Sequence, residues 1–317
     1  MSTASQVGIL DIIALLKHAT MSASYKPALL RAIVECVQRN RIENGRILLV
    51  DLAEQFLGMY WTQTVVFRFR HSPRTAAQPE IVQRMSEVAD ATGIRQADLL
   101  PAMVRTKLVT QLSRVLTINV LQAFHTSKPV QMSPLYSWEK EDDSIEVSVE
   151  SEQFIRANAE ALKLIANYYW ARFLTRLNAS PRLIDKIERD KPRRAALHGV
   201  AAAMVARGET MCFYCGVNVG PLNRIHVDHF IPWTFVFEDK PWNLVAACEP
   251  CNLKKADTLP AEPYLQRLIE LNRRRWSLNE NRTSFMAAGV NPEEQLKELY
   301  GLALSAEWPA GWAAVVP

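Results

Sequence analysis

The sequence predicts an α+β chain: a mainly helical N-terminal body followed by a small, zinc-stabilised module near the C-terminus. Three observations lead there. Apolar residues recur at helical spacing through much of residues 1–190. Two Cys-x-x-Cys turns, Cys212 with Cys215 and Cys248 with Cys251, stand 32 residues apart. Between them, Arg224-Ile225-His226-Val227-Asp228 alternates polar and apolar residues as a short strand does.

The helical segments follow in order. Ile9-Leu10, Ile12-Ile13 and Leu15-Leu16 make a first helix, and Pro27 opens a second at the favoured first position. In that second segment Leu30, Ile33, Val34 and Val37 repeat at helical spacing, so Cys36 reads as a buried structural thiol. Ile47 to Phe69 suggests a third helix with a β-rich end at Val65-Val66. Pro79 to Ala91 and Gln96 to Val115 supply two more, the latter started or kinked at Pro101. Ser144 to Val149 alternates as a strand, expected to pair with Leu135-Tyr136 in a hairpin near 135–149. A long amphipathic helix runs from Ser151 to about Leu177. Pro263 to Trp276 and Pro292 to Ala303 read as closing helices.

With 317 residues and 49% hydrophobic content the chain can bury a sizeable core. The seam is placed in Ser180-Pro181 through Lys191-Pro192-Arg193-Arg194, dividing 1–190 from 191–317, with a module core at 211–260. No run approaches the ~20 apolar residues of a membrane span. Met1 to Val7 lacks a secretory pattern, which points to the cytoplasm and to reduced thiols. The net charge of +4 does not announce a nucleic-acid binder by itself. Residues 1–130, however, hold 15 Lys+Arg against 9 Asp+Glu, and Arg68, Arg70 and Arg74 form a candidate phosphate-contacting run, as does Arg273-Arg274-Arg275.

Two Cys-x-x-Cys turns match a structural zinc site, because tetrahedral Zn²⁺ takes four thiolates and each turn offers two. Inside that frame lie Val227-Asp228-His229-Phe230-Ile231-Pro232, then Trp242-Asn243-Leu244, and Asn252 directly after the last cysteine. Leu253-Lys254-Lys255-Ala256 has helix-forming residues, which puts Asn252 at or near the start of a short helix.

The run Cys-x-x-Cys, Asp-His-x-x-Pro, Asn-Leu-Val, Cys-x-x-Cys-Asn-x-x-Lys resembles the HNH endonucleases over about Met211 to Pro260, and Asp-His-Phe-Ile-Pro-Trp with Trp-Asn-Leu is similar to an aromatic-rich bacterial subgroup. The resemblance implies a ββα-metal core: a two-stranded hairpin and a helix around one divalent ion. It implies that His229 is the general base, that Asp228 and Asn252 hold the catalytic ion, and that Asn243 braces the loop carrying the base through backbone hydrogen bonds. Restriction, anti-phage or mobile-element settings follow from it, with DNA as substrate.

The residue types suit that chemistry. Phosphodiester hydrolysis needs a deprotonated water and positive charge on the developing oxyanion. An imidazole with an ordinary pKa of ~6.5 serves the first need. One carboxylate and one amide carbonyl suit Mg²⁺ or Mn²⁺ for the second. Lys255 could approach phosphate or be a solvated lysine, and His226 and Arg224, on the strand face of Asp228, are further nucleic-acid candidates. The aromatic run Trp233-Thr234-Phe235-Val236-Phe237 exceeds what a ~50-residue module can bury, so it is expected to dock on the helical remainder, with a base-stacking platform as the alternative. A zinc-structured nucleic-acid-binding module without cleavage is the second functional reading. RNA as substrate, and a homodimer or a protein partner docked through the helical body, stay open.

Overall fold

The computed structural model describes residues 7–18, 21–73, 78–122, 135–188, 197–220, 222–277 and 291–315, the side chains of Asn223 and Trp276 excepted. The chain divides into two compact units, one comprising Met1–Asn178 with Leu183–Pro192, the other Ala179–Arg182 with Arg193–Pro317. Residues 189–194 of the expected seam, and Arg74 of the basic run, lie outside the described residues.

The first unit is helical: α1 Ile9–His18, α2 Tyr25–Gln38, α3 Leu49–Trp61, α4 Glu80–Thr92, α5 Ala102–Val115, α6 Val149–Leu174 and the short α7 Leu183–Glu188. Its core forms where α2 packs along α6, with Tyr60, Trp61 and Trp170 fully buried and Tyr60 5.3 Å from Trp170 between ring centres. Cys36 is buried there. Helix α6 starts where its apolar stripe starts because Ser148 caps it, its hydroxyl accepting from the Ser151 N–H at 3.1 Å. Gly93, at φ 67°, ends α4 in a left-handed turn that a side chain would strain.

Four expectations change in this unit. Ile47 belongs to a strand, β1 Arg46–Leu48, which precedes α3 and pairs antiparallel with β2 Ser144–Glu146, Ile47 opposite Ile145. The expected partner segment contributes a single bridge, Ser137 to Glu146. Leu135 and Tyr136 instead turn inward and are buried. The expected β-rich end at Val65-Val66 is a wide helical turn, Thr62–Val66, continuing α3. Pro27 is the third residue of α2, still within the first turn, where its missing N–H costs nothing.

The second unit contains α8 His198–Ala206, β3 His226–His229, α9 Trp233–Val236, β4 Leu244–Ala247, α10 Glu249–Lys255, α11 Glu262–Ser277 and α12 Pro292–Ser305. β3 and β4 form an antiparallel pair with His226 opposite Ala247 and His229 opposite Leu244. The strand begins two residues later than expected, since Leu222–Arg224 is a tight helical turn. α10 packs on β3, completing a ββα arrangement.

The aromatic run docks, as expected, on helical chain outside the ~50-residue core, here the C-terminal helix. Phe235 and Val236 are buried in one cluster with Leu296, Tyr300 and Trp308, and the Phe235 ring lies 5.3 Å from Trp308. The second unit is larger than the ~50-residue core considered from sequence, and its own C-terminal helix supplies the missing apolar cover. Trp233, Phe235, Phe237 and Trp242 are each at most 5% exposed, so no stacking platform is open here. No helix among the described residues is long and apolar enough to cross a membrane.

Candidate nuclease site and its cysteine frame

The first cysteine turn is shaped by backbone bonds from the Cys212 N–H to Val217 O at 2.8 Å and from the Gly216 N–H to Cys212 O at 2.9 Å. The Phe213 N–H donates to Ala246 O at 2.8 Å, which ties this turn to β4. Cys248 precedes α10 and Cys251 lies in it, so the second turn is a helix start. All four Sγ atoms lie within 4.8 Å of one another, with Cys215 and Cys248 3.8 Å apart, and none is in a disulfide. Four thiolates at ~2.3 Å from one tetrahedral ion would stand ~3.8 Å apart, so the cluster fits Zn²⁺.

Asp228 and His229 close β3, 7% and 4% exposed. Asp228 Oδ2 accepts the Tyr214 hydroxyl at 2.5 Å and lies 3.0 Å from Lys255 Nζ. Burial and the Asp228 carboxylate push the Tyr214 phenol far above its ordinary pKa, so it remains a donor. Both of these contacts fall on one carboxylate oxygen, Oδ2. His229 Nε2 is 2.7 Å from Asp239 Oδ1.

Asn243 is fully buried. Its Oδ1 accepts from the Ile231 N–H at 2.8 Å and its Nδ2 donates to Ile231 O at 2.9 Å. The two bonds fix the backbone two residues beyond His229, and the Phe230 N–H adds a third by donating to Asn243 O at 2.8 Å. The loop carrying Asn243 is itself gripped by α11: Asn272 Nδ2 donates to Trp242 O at 2.7 Å, and Arg275 Nη1 donates to Leu244 O at 3.0 Å. Asn252 occupies the middle of α10, half-buried, its N–H bonded to Cys248 O at 3.0 Å. The oxygen donors of Asp228 and Asn252, one on β3 and one on the helix packed against it, are of the type that Mg²⁺ or Mn²⁺ prefers.

Other expectations move. Lys255 is fully buried, donating to His229 O at 2.8 Å as well as facing Asp228, so it is neither a phosphate contact nor a solvated lysine. Packing of α10 on β3 turns it inward. Arg273 pairs with Glu293 yet stays exposed, Arg275 is buried on Glu209, and Arg274 is exposed. Arg68 is exposed and Arg70 half-buried. His226 lines a groove of about 750 Å³ with His198, Leu222 and Ile225, and Arg224 is exposed nearby in sequence.

Two residues in contact with this cluster were not singled out in the sequence. Tyr214 lies between the first two cysteines, and Asp239 in Glu238-Asp239-Lys240.

Residues 212–261 match the HNH endonuclease family. The HNH module is thus a defined segment of the chain, with a cysteine pair near each end, and the match supports a nuclease-type function with a nucleic-acid substrate. No curated protein and no solved structure matches the chain.

Proposed function

We propose that the chain is a metal-dependent endonuclease that hydrolyses DNA phosphodiester bonds, with His229 as the general base. The observation that carries this reading is the pairing of a braced imidazole with an oriented carboxylate: His229 is held on Asp239, and its neighbour Asp228 is held on Tyr214 and Lys255.

In this reading His229 takes a proton from water as the water oxygen bonds to phosphorus and the P–O3′ bond breaks. Asp228 and Asn252 would hold Mg²⁺ or Mn²⁺, which when bound supplies positive charge to the phosphate and the leaving oxygen. Asn243 keeps the His229 loop fixed, so the base does not have to be ordered anew at each turnover. The four thiols would hold Zn²⁺ as a structural ion, fastening α10 and the Tyr214 turn to the hairpin. Restriction or anti-phage defence is the setting that the resemblance favours, with the helical body serving recognition or control.

The test is conversion of supercoiled plasmid to nicked circle by the zinc-loaded protein. Nicking that requires Mg²⁺ or Mn²⁺ supports the reading. Intact plasmid with every divalent ion, beside retention of DNA in a binding assay, would replace it with the non-cleaving zinc module.

A further inference from the structure

We propose that Asp239 is a positioning residue for His229: it accepts a hydrogen bond from Nε2–H, fixes that tautomer, and thereby makes Nδ1 the nitrogen that receives the water proton. The inference rests on the reading of His229 as the base and adds the residue that orients it. Nε2 and Asp239 Oδ1 are 2.7 Å apart, and the imidazole is 4% exposed while the carboxylate is 27% exposed. A neutral imidazole offers one donor and one acceptor, so the partner on one nitrogen decides the role of the other. An ionised carboxylate accepts only, and it therefore selects Nε2–H.

The local chain explains why Asp239 can reach. Helix α9 ends at Phe237, whose left-handed φ of 57° turns the chain. Glu238, next along, is held by Arg182 Nη1 at 3.1 Å, and the Asn243 N–H donates to Lys240 O at 2.9 Å. Asp239 thus sits between two fixed neighbours. Among the described residues, charged groups near His229 include Asp239, Asp228 on the same strand, and Lys255, whose ammonium bonds the His229 carbonyl. Asp239 bonds the ring at Nε2.

Asp239→Asn nearly conserves shape but can present an amide N–H to the ring and so favour the opposite tautomer. Ring nitrogen-15 shifts of the zinc-loaded full chain at pH 8, with the His229 signals assigned by their loss in His229→Ala, read this directly. A single Nε2–H tautomer in the wild type that becomes mixed or reversed in Asp239→Asn is expected. An unchanged tautomer in Asp239→Asn overturns the proposal, whether or not the protein cuts DNA. In the nicking assay, Asp239→Asn is expected to lower kcat by about 100-fold, the lower end of general-base contributions, with KM little changed. Full activity in Asp239→Asn beside an inactive His229→Ala would remove Asp239 while leaving the nuclease reading intact. Asp239→Ala, at a partly exposed loop position, checks that either result reflects the hydrogen bond and not misfolding.

Discussion

Tyr214 donates its hydroxyl to Asp228 Oδ2 at 2.5 Å, so a residue held inside the first cysteine turn orients the carboxylate at the end of β3. The link joins the four-thiol cluster to the Asp228–His229 end of β3 through one side chain. Tyr214→Phe removes the donor and keeps the ring, which packs 5.6 Å from Tyr264 and 5.0 Å from Trp312. Outer contacts of this kind change metal affinity by about 10–100-fold. The expected outcome is a Mn²⁺ requirement for half-maximal nicking raised by about 10-fold or more, with zinc content unchanged. An unaltered Mn²⁺ dependence would reduce Tyr214 to packing.

Asn243→Ala strips the Ile231 N–H and C=O of their partners inside the protein. A buried group left unpaired costs about 1–3 kcal/mol. Thermal unfolding is expected to shift down by several degrees and kcat to fall with it, because the His229 loop loses its brace. A variant with wild-type melting and wild-type kcat would show that the amide fixes nothing.

Zinc removal should act on the second unit. Zn²⁺ held by the four thiols would fasten α10 and the Tyr214 turn to the β3–β4 hairpin, and metal binding free energy of this kind is folding free energy. Chelation is expected to abolish nicking and the tertiary signal of the HNH aromatics while most helical circular dichroism persists, since α2 to α6 lie in the other unit. Full nicking after verified loss of zinc would contradict a structural role for that ion.

What could be read from sequence was what local spacing encodes. Cys212, Cys215, Cys248 and Cys251 announce a four-thiol cluster by their offsets alone, and the long α6 shows in its apolar stripe. The β1–β2 pair was illegible because its two strands stand about a hundred residues apart and Ile47 also suits a helix. Lys255 misled for a related reason: three residues after Asn252 its charge suggested solvent or phosphate, whereas packing of α10 on β3 buries it against Asp228. Asp239 and Tyr214 carry no local mark, since what gives each of them its contact is a partner chosen by the tertiary fold.

In the first unit, Lys186 gives a pH dependence. Burial lowers its pKa to about 7, with its ammonium 5.3 Å from the Phe67 ring centre and 5.8 Å from that of Phe69. The unfolded chain, with lysine near ~10.4, binds more protons than the folded one between those values, so this group's contribution to stability rises with pH across that window. Below about 7 both states are protonated and the burial cost is fully present. Lys186→Met conserves bulk and lacks the proton. Its advantage in melting temperature over the wild type is expected to shrink between pH 7 and pH 9, and a gap constant with pH would refute the assignment.

Cleavage of supercoiled plasmid by wild type and His229→Ala, at equal zinc loading and saturating Mn²⁺, bears most directly on the mechanism. The proposal that His229 is the general base predicts a wild-type rate at least ~100-fold above that of the variant, the lower end of what a general base contributes. Equal rates for the two proteins would contradict it.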